Sequence, residues 1–374
     1  MTHTPLAFVF LGLSLSSSWG NGHATNYRAL LAALAARGHR AVFLERNTPW
    51  YAQNRDLSSA SYCRLHFYAS LEELDRTHSA VVEQADVVIV GSYVPDGVAV
   101  IDWVLERTSG LVGFYDIDTP VTLAGLGSGR AEYVAADQLG RFDFYLSFAG
   151  GPCLAQLQSQ YDVRRATAFY CMVDAGRYRP MSRPKLWDVG YMGTYSADRQ
   201  GALEQLLIEP ARRLPGRRFV VAGPQYPQEI EWPSNVDRIE HLPPERHAEF
   251  YSSLKFALNL TRADMRATGW SPSVRLFEAA ACGTPALSDR WPGLNDLFPE
   301  GDAIVPVDTA ADVTAALRMD DDERSRIGCR ARQIVLAGHT GERRAETLEA
   351  VVAQAPTQSV EPAVVRENQH ARES

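Results

Sequence analysis

Two series of short apolar runs, each run separated from the next by a helix-forming stretch, constrain this chain more than any other feature. In the first series AFVFL (7–11), AVFL (41–44), RLHFY (64–68), DVVIVG (86–91), LVGFYD (111–116) and FDFYLSF (142–148) read as strands. Runs that are apolar on both faces are what parallel strands need when helices cover both sides of a sheet. Residues 25–37 carry Tyr27, Leu30, Leu31, Leu34 and Ala35 at i, i+3, i+4, i+7 and i+8, a single helical stripe closed by Gly38. Strand, glycine turn, helix and strand make a βαβ unit, and its repetition predicts a doubly wound α/β domain.

The period resets near residue 175. DAGRYRPMSRPKLW has two prolines, four basic residues and no apolar period, which predicts a linker. A second α/β series follows: DVGYMG (188–193), a helix over 198–214, RFVVAG (218–223), RIEHL (238–242), a helix over 245–254, FALNLT (256–261), a helix from Pro272, and PALS (285–288). Residues 310–354 read as helical. The expected organisation is a first Rossmann-like domain over 1–174 and a linker over 175–186. A second Rossmann-like domain over 187–338, a helix over 339–355 and a disordered tail over 356–374 complete it. Two such domains face each other across a cleft at their strand C-termini.

Composition narrows the function classes. The chain has 374 residues, 45% of them hydrophobic, which suffices for two cores. Its 37 basic and 45 acidic residues give a net charge of −8, against a general nucleic-acid or anionic-membrane surface. Five cysteines without a C-x-x-C pair argue against a disulfide framework or structural zinc and for a reducing, cytoplasmic setting. No apolar run approaches the ~20 residues of a membrane span. Residues 6–18 superficially resemble a signal-peptide core, but no Lys or Arg precedes them, and a buried first strand is the preferred reading.

The richest stretch is SPSVRLFEAAACGTPALSD (271–289). Ser271 fits an N-cap, Pro272 the first helical position and Gly283 the helix end. Arg275 and Glu278 are three apart and can form a local ion pair. In the functional reading the helix N-terminus, Ser273 and Arg275 meet a diphosphate, and Glu278 accepts hydrogen bonds from the two vicinal hydroxyls of a ribose. Gly193, Thr194 and Gly223 end strands on the same cleft. Arg199, Arg262 and Arg266 are candidate diphosphate cations, the alternative for Arg262 and Arg266, in the loop TRADMRATGW, being simple solvation. Tyr195 and Tyr226 can flank a base or pack.

On the first-domain side Gly20 and Gly22 permit close backbone approach to a ligand. His23 can act as a base towards an acceptor hydroxyl, or cap and pack a helix start. Asp116 and Asp118, two apart at a strand end, are expected to point the same way. Asp118 is the candidate acceptor-binding or base residue, the alternative being a strand-end turn. No metal site is expected.

The block 271–289 resembles the donor-site helix of GT-B glycosyltransferases with the EAxACGxP pattern, and GWSPSVRLFEAAACGTPALSD closely resembles the CgeB-like, spore-maturation branch. VDAGRYRP (173–180), GYMGTYSADR (190–199), HTGERRAETL (339–348) and, more weakly, WGNGHATNYRALLAALAARGHRAVF (19–43) are similar to the corresponding GT-B segments. The resemblance implies a C-terminal helix crossing back to the first domain. It also implies a second domain that holds a nucleoside-diphosphate sugar and a first domain that binds a hydroxyl-bearing acceptor. Retaining enzymes of this type carry a second glutamate eight residues before the ribose-binding one, where this chain has Trp270.

The expectation is therefore an α/β GT-B glycosyltransferase, with a nucleotide sugar as co-substrate, no cofactor and no metal. The rivals are a nucleotide-sugar epimerase of the same fold and a two-lobed periplasmic binding protein. A dinucleotide-dependent dehydrogenase is disfavoured because the full G-x-G-x-x-G is absent.

Overall fold

The computed structural model describes residues 4–19 and 22–355, so Gly20 and the expected tail over 356–374 lie outside the described residues. The first sheet contains β1 (Ala7–Gly12), β2 (Arg40–Arg46), β3 (Arg64–Tyr68), β4 (Val87–Gly91), β5 (Leu111–Asp116), β6 (Phe144–Ser147) and β7 (Ala166–Ala168). All pair in parallel in the order β3-β2-β1-β4-β5-β6-β7. The apolar segment at the N-terminus is thus a central strand, with Phe8, Val9, Phe10 and Leu11 buried. The second sheet contains β8 (Trp187–Met192), β9 (Phe219–Ala222), β10 (Val236–Ile239), β11 (Leu254–Asn259), β12 (Ala286–Ser288) and β13 (Val305–Pro306), parallel in the order β10-β9-β8-β11-β12-β13.

The strand order reverses beside β1 in one sheet and beside β8 in the other. Chains leaving adjacent strands there turn to opposite faces and open a crevice at the strand C-termini. The two crevices face each other, which places the segments after β1, β4, β5, β8 and β11 around one cleft.

The chain passes between the domains twice, side by side. Val173 bridges Thr340, with Val173 N–H donating to the His339 carbonyl at 3.0 Å and Gly341 N–H to the Val173 carbonyl at 3.2 Å. Helix Gly341–Gln354 then lies against helix His23–Ala36, burying Ala345, Leu348 and Val351 in the first-domain core with Tyr27 and Leu30. Arg37 and His39 fix its far end on Glu349 at 2.6 and 2.8 Å.

Several local expectations differ from the structure. The helix over 198–214 is three pieces, Ala197–Leu203, a wide turn Glu204–Ile208 and Glu209–Arg213. Pro210 has no N–H for the preceding turn, and the wider turn accommodates its ring. The helix expected from Pro272 is Val274–Ala281, capped by Ser273 rather than Ser271. Ser271 is buried and its hydroxyl donates to the Gly269 carbonyl at 2.8 Å, which leaves Pro272 ahead of the cap. Gly283, at φ +71°, does follow the helix end. The short strands β7 and β13 were not anticipated from sequence.

Candidate active site

Two adjoining cavities fill the cleft. One of about 490 Å³ takes in Gly22, His23, Tyr93 and Asp118 from the first domain and Gly193, Thr194, Arg199, Arg262, Ser273 and Arg275 from the second. The other, about 200 Å³, is lined by Gly193, Thr194, Gly223, His241, Arg275 and Glu278, with Ser18 and Gly22 closing it from the first domain. Every described candidate donor residue except Arg266 and Tyr226 therefore borders one or both. A larger cavity of about 600 Å³ lies around the opposite, N-terminal ends of β1 to β3 and shares none of these groups.

The second-domain wall is built on glycines. Gly223 has φ +147°, and a Cβ there would sit 2.1 Å from the Gly193 carbonyl oxygen, so two strand-end turns meet at a distance only glycine permits. A Cβ on Gly193 would come 2.8 Å from Arg275 Nη2, so the guanidinium lies directly behind this turn. Arg275 is 7% exposed. Its Nε donates to the Met192 carbonyl, its Nη1 donates to Asn259 Oδ1 at 3.0 Å and Ser273 Oγ at 3.3 Å, and the group lies over the Tyr191 ring at 4.6 Å.

The expected local ion pair between Arg275 and Glu278 does not form, because each side chain is held elsewhere. Glu278, 4% exposed, accepts the Tyr251 hydroxyl at 2.9 Å. Burial and the Glu278 charge push the Tyr251 hydroxyl well above its ordinary range, so it stays a donor. Tyr178 also reaches Glu278, and its hydroxyl meets His247 Nδ1 at 3.1 Å. A single carboxylate supported by two phenols remains open to the smaller cavity.

Arg199 Nη2 donates to the Thr194 carbonyl at 2.8 Å, while its Nε is buried without a hydrogen-bond partner. Arg262 is not simply solvated. It precedes the short helix Ala263–Thr268 and approaches Asp118 across the cleft at 3.8 Å. Arg266 lies 3.9 Å from Asp289 and borders neither cavity. Tyr226 donates to the Gly193 carbonyl at 3.0 Å and packs against Tyr195, so neither ring borders the Glu278 cavity.

On the first-domain wall His23 opens helix His23–Ala36. Burial lowers its pKa, with the Asp118 charge acting in the opposite sense, so the neutral imidazole is favoured at pH 7. Gly22 packs on the second domain, where a Cβ would lie 3.6 Å from Val274 Cγ1. Asp116 and Asp118 do not point the same way. Asp116 is fully buried, takes the Tyr145 hydroxyl at 2.5 Å, and burial pushes its carboxyl up to about 6. The chain then leaves the strand, and Asp118 faces the cleft at the start of helix Thr119–Gly127. Among the described residues no three His, Cys, Asp or Glu side chains gather as metal ligands, and no helix is long and apolar enough to cross a membrane.

Sequence reasoning missed four residues of the site, Tyr93, Trp19, His241 and Glu45. Tyr93, at φ +63°, donates to Asp118 at 3.0 Å and sets its ring 5.6 Å from His23. Trp19 packs on His241, which borders the smaller cavity, with ring centroids 4.3 Å apart and the rings tilted by 39°. Buried Glu45 orders the segment after β1, accepting Leu15 N–H at 2.7 Å, Ser16 N–H at 2.9 Å and two serine hydroxyls. Trp270, eight residues before Glu278, borders neither cavity. Its indole donates to Asp296 at 2.9 Å and packs on Gly151 and Gly293, while its carbonyl accepts Gly150 N–H at 2.9 Å from the first domain. Of these, only the serine run after the first strand had any local trace in the sequence.

Residues 199–350 match the profile of the family described as glycosyl transferase-like. No curated protein matches the chain significantly. Sucrose-phosphate synthase from Thermosynechococcus elongatus is 15% identical with a TM-score of 0.69, the match covering 93% of this chain and 98% of that one. Anabaena HepE in complex with UDP and glucose is 10% identical with a TM-score of 0.68, over 93% and 99%. An alpha-glucosyltransferase in complex with UDP-glucose and DNA containing an abasic site is 14% identical with a TM-score of 0.70, over 93% and 99%. The chain has the GT-B fold, two Rossmann-like domains about a cleft, and its second half is similar to the glycosyl transferase-like family.

Proposed function

We propose that this protein is a glycosyltransferase that moves a sugar from a nucleoside-diphosphate sugar to a hydroxyl-bearing acceptor. The observation that carries the reading is the pair of adjoining cavities. One offers a buried, phenol-supported carboxylate, Glu278, and the other three guanidinium groups, with Arg275 between them. A carboxylate is a good acceptor for a vicinal diol, and guanidinium groups beside the N-terminus of helix Val274–Ala281 match a diphosphate. The glycosyl transferase-like match over 199–350 and the UDP and UDP-glucose complexes among proteins of the same fold support the assignment.

The ribose is placed at Glu278 and the diphosphate between Arg275, Arg199, Arg262, Ser273 and the Gly193–Thr194 turn. The sugar lies beneath His23 and Asp118. The acceptor oxygen forms its bond to the anomeric carbon as that carbon's bond to the phosphate oxygen breaks, the electron pair leaving with the nucleoside diphosphate. Fixed guanidinium charge stabilises the growing negative charge on the leaving group, so the reaction is proposed to proceed without a metal. In an inverting course the neutral imidazole of His23 takes the acceptor proton, and Asp118 stabilises the imidazolium. In a retaining course the departing phosphate oxygen takes the proton and His23 positions the acceptor. The anomeric configuration of the product distinguishes the two.

Calorimetric titration with UDP, dTDP, GDP and CDP tests the donor site. One nucleotide is expected to bind at micromolar strength. Binding of none of the four, with free sugars or amino acids stabilising the fold instead, would support the binding protein.

A further inference from the structure

We propose that the acceptor is an uncharged hydroxyl-bearing molecule that presents an apolar ring face, and that phosphorylated acceptors are rejected. The inference rests on the reading of the cleft as a sugar-transfer site and adds the substrate class of its first-domain wall. That wall includes Leu13, Tyr51, Tyr93, Ile117, Phe148 and the single carboxylate of Asp118, beside His23, and its Asn26 amide is taken up by the Gly22 carbonyl and the Met172 N–H. Among the described residues it contributes no Arg or Lys to the cavity.

The three cations that line the cavity, Arg199, Arg262 and Arg275, all belong to the second domain. Once a diphosphate occupies them they are unavailable to the acceptor. A phosphate placed against the first-domain wall would then meet the Asp118 carboxylate, whose one nearby guanidinium, Arg262 at 3.8 Å, is shared with the diphosphate, a like-charge contact that acts as a filter.

Asp118 is held towards the cavity by the Tyr93 hydroxyl at 3.0 Å, and Tyr93 keeps a left-handed backbone to reach it. Tyr93 in turn lies against Tyr133 at 4.6 Å, and Tyr133 exchanges a 2.6 Å hydrogen bond with Thr122. A fixed carboxylate among aromatic and aliphatic side chains accepts a hydroxyl and packs against a ring face. The aromatic character continues to the rim, where Trp50, next to Tyr51 on the short helix Pro49–Ala52, is 52% exposed. Sugar rings and phenols share this chemistry and are separated by the test.

The test uses the full chain saturated with the nucleoside diphosphate it binds, and reads three probes by calorimetry and saturation-transfer NMR. The probes are methyl β-glucopyranoside, 4-nitrophenol and glucose 6-phosphate. At least one neutral probe is expected to bind tenfold or more tightly than glucose 6-phosphate, with saturation transferred to its ring protons. Preference for the glucoside identifies a sugar acceptor, and preference for the phenol an aryl one. Tyr51→Ala should weaken the preferred probe at least fivefold, and Asp118→Asn should raise glucose 6-phosphate affinity at least threefold. Equal or tighter binding of glucose 6-phosphate to the wild type, or no binding of either neutral probe with nucleotide in place, overturns the inference and leaves the transferase reading standing. Failure to take up any nucleoside diphosphate overturns the transferase reading itself.

Discussion

Replacing Glu278 by Gln isolates the proposed ribose contact. Glu278 is 4% exposed, its Oε2 accepts Tyr251 at 2.9 Å, and the carboxylate borders the smaller cavity, where it can accept ligand hydroxyls. Gln keeps the shape and an acceptor for Tyr251, but presents an NH2 group where the second carboxylate oxygen stood. A hydrogen bond to a charged group contributes about 1.5–3 kcal/mol. Loss of one such bond, about 2 kcal/mol, corresponds to roughly 30-fold weaker binding. The assay is paired calorimetry of the preferred nucleoside diphosphate and its 2′,3′-dideoxy analogue on wild type and variant. The ribonucleotide should lose roughly 30-fold and the dideoxy analogue, which lacks the donors, no more than about twofold. Equal weakening of both ligands, or of neither, would refute the placement of the ribose at Glu278.

Three further outcomes follow from the same geometry. His23→Phe should lower turnover at least about a hundredfold while nucleotide affinity stays within about threefold, because His23 faces the acceptor side. Burial raises the Asp116 carboxyl from 3.8 to about 6, so the folded state holds its proton more tightly than the unfolded one. Stability from this group is present below about pH 4 and is lost as pH rises through about 6, up to roughly 3 kcal/mol. Asp116→Asn should abolish that slope in urea melts from pH 4 to 7.5, measured as the difference from wild type. Gly223→Ala places a Cβ 2.1 Å from the Gly193 carbonyl oxygen, and should cost about 2–4 kcal/mol in denaturant unfolding and weaken nucleotide binding.

The doubly wound architecture was legible because parallel strands buried on both faces write themselves as uninterrupted apolar runs. AFVFL and DVVIVG are β1 and β4, side by side at the sheet centre. Three-residue β7 and two-residue β13 carry too few residues for a period to register. On helix Val274–Ala281 the sequence pointed to Ser271 as the cap, with Pro272 beside it, and tertiary burial of Ser271 moved the cap to Ser273. The expected common direction of Asp116 and Asp118 failed for a related reason: strand alternation governs side-chain direction only while the strand continues, and β5 ends at Asp116.

The partners of the site were the least legible. Tyr251 and Tyr178 reach Glu278 from 27 and 100 positions away in sequence, and Arg262 meets Asp118 only because the domains face each other. Trp270 illustrates the limit. Its position relative to Glu278 suggests a cleft residue, but the backbone there has φ +43° and turns the indole into the seam with Gly151.

The most direct test of sugar transfer is which bond the protein breaks. The nucleotide sugar carrying the base selected by titration is incubated with wild-type protein and the neutral ring probe that binds, and followed by phosphorus NMR. The account predicts that the diphosphate pair of signals moves to that of the free nucleoside diphosphate as the bond between the anomeric carbon and the phosphate oxygen breaks and the sugar appears on the probe, at least about a hundredfold more slowly for His23→Phe. Appearance of nucleoside monophosphate with sugar 1-phosphate, or an unchanged donor spectrum with all components bound, would contradict it.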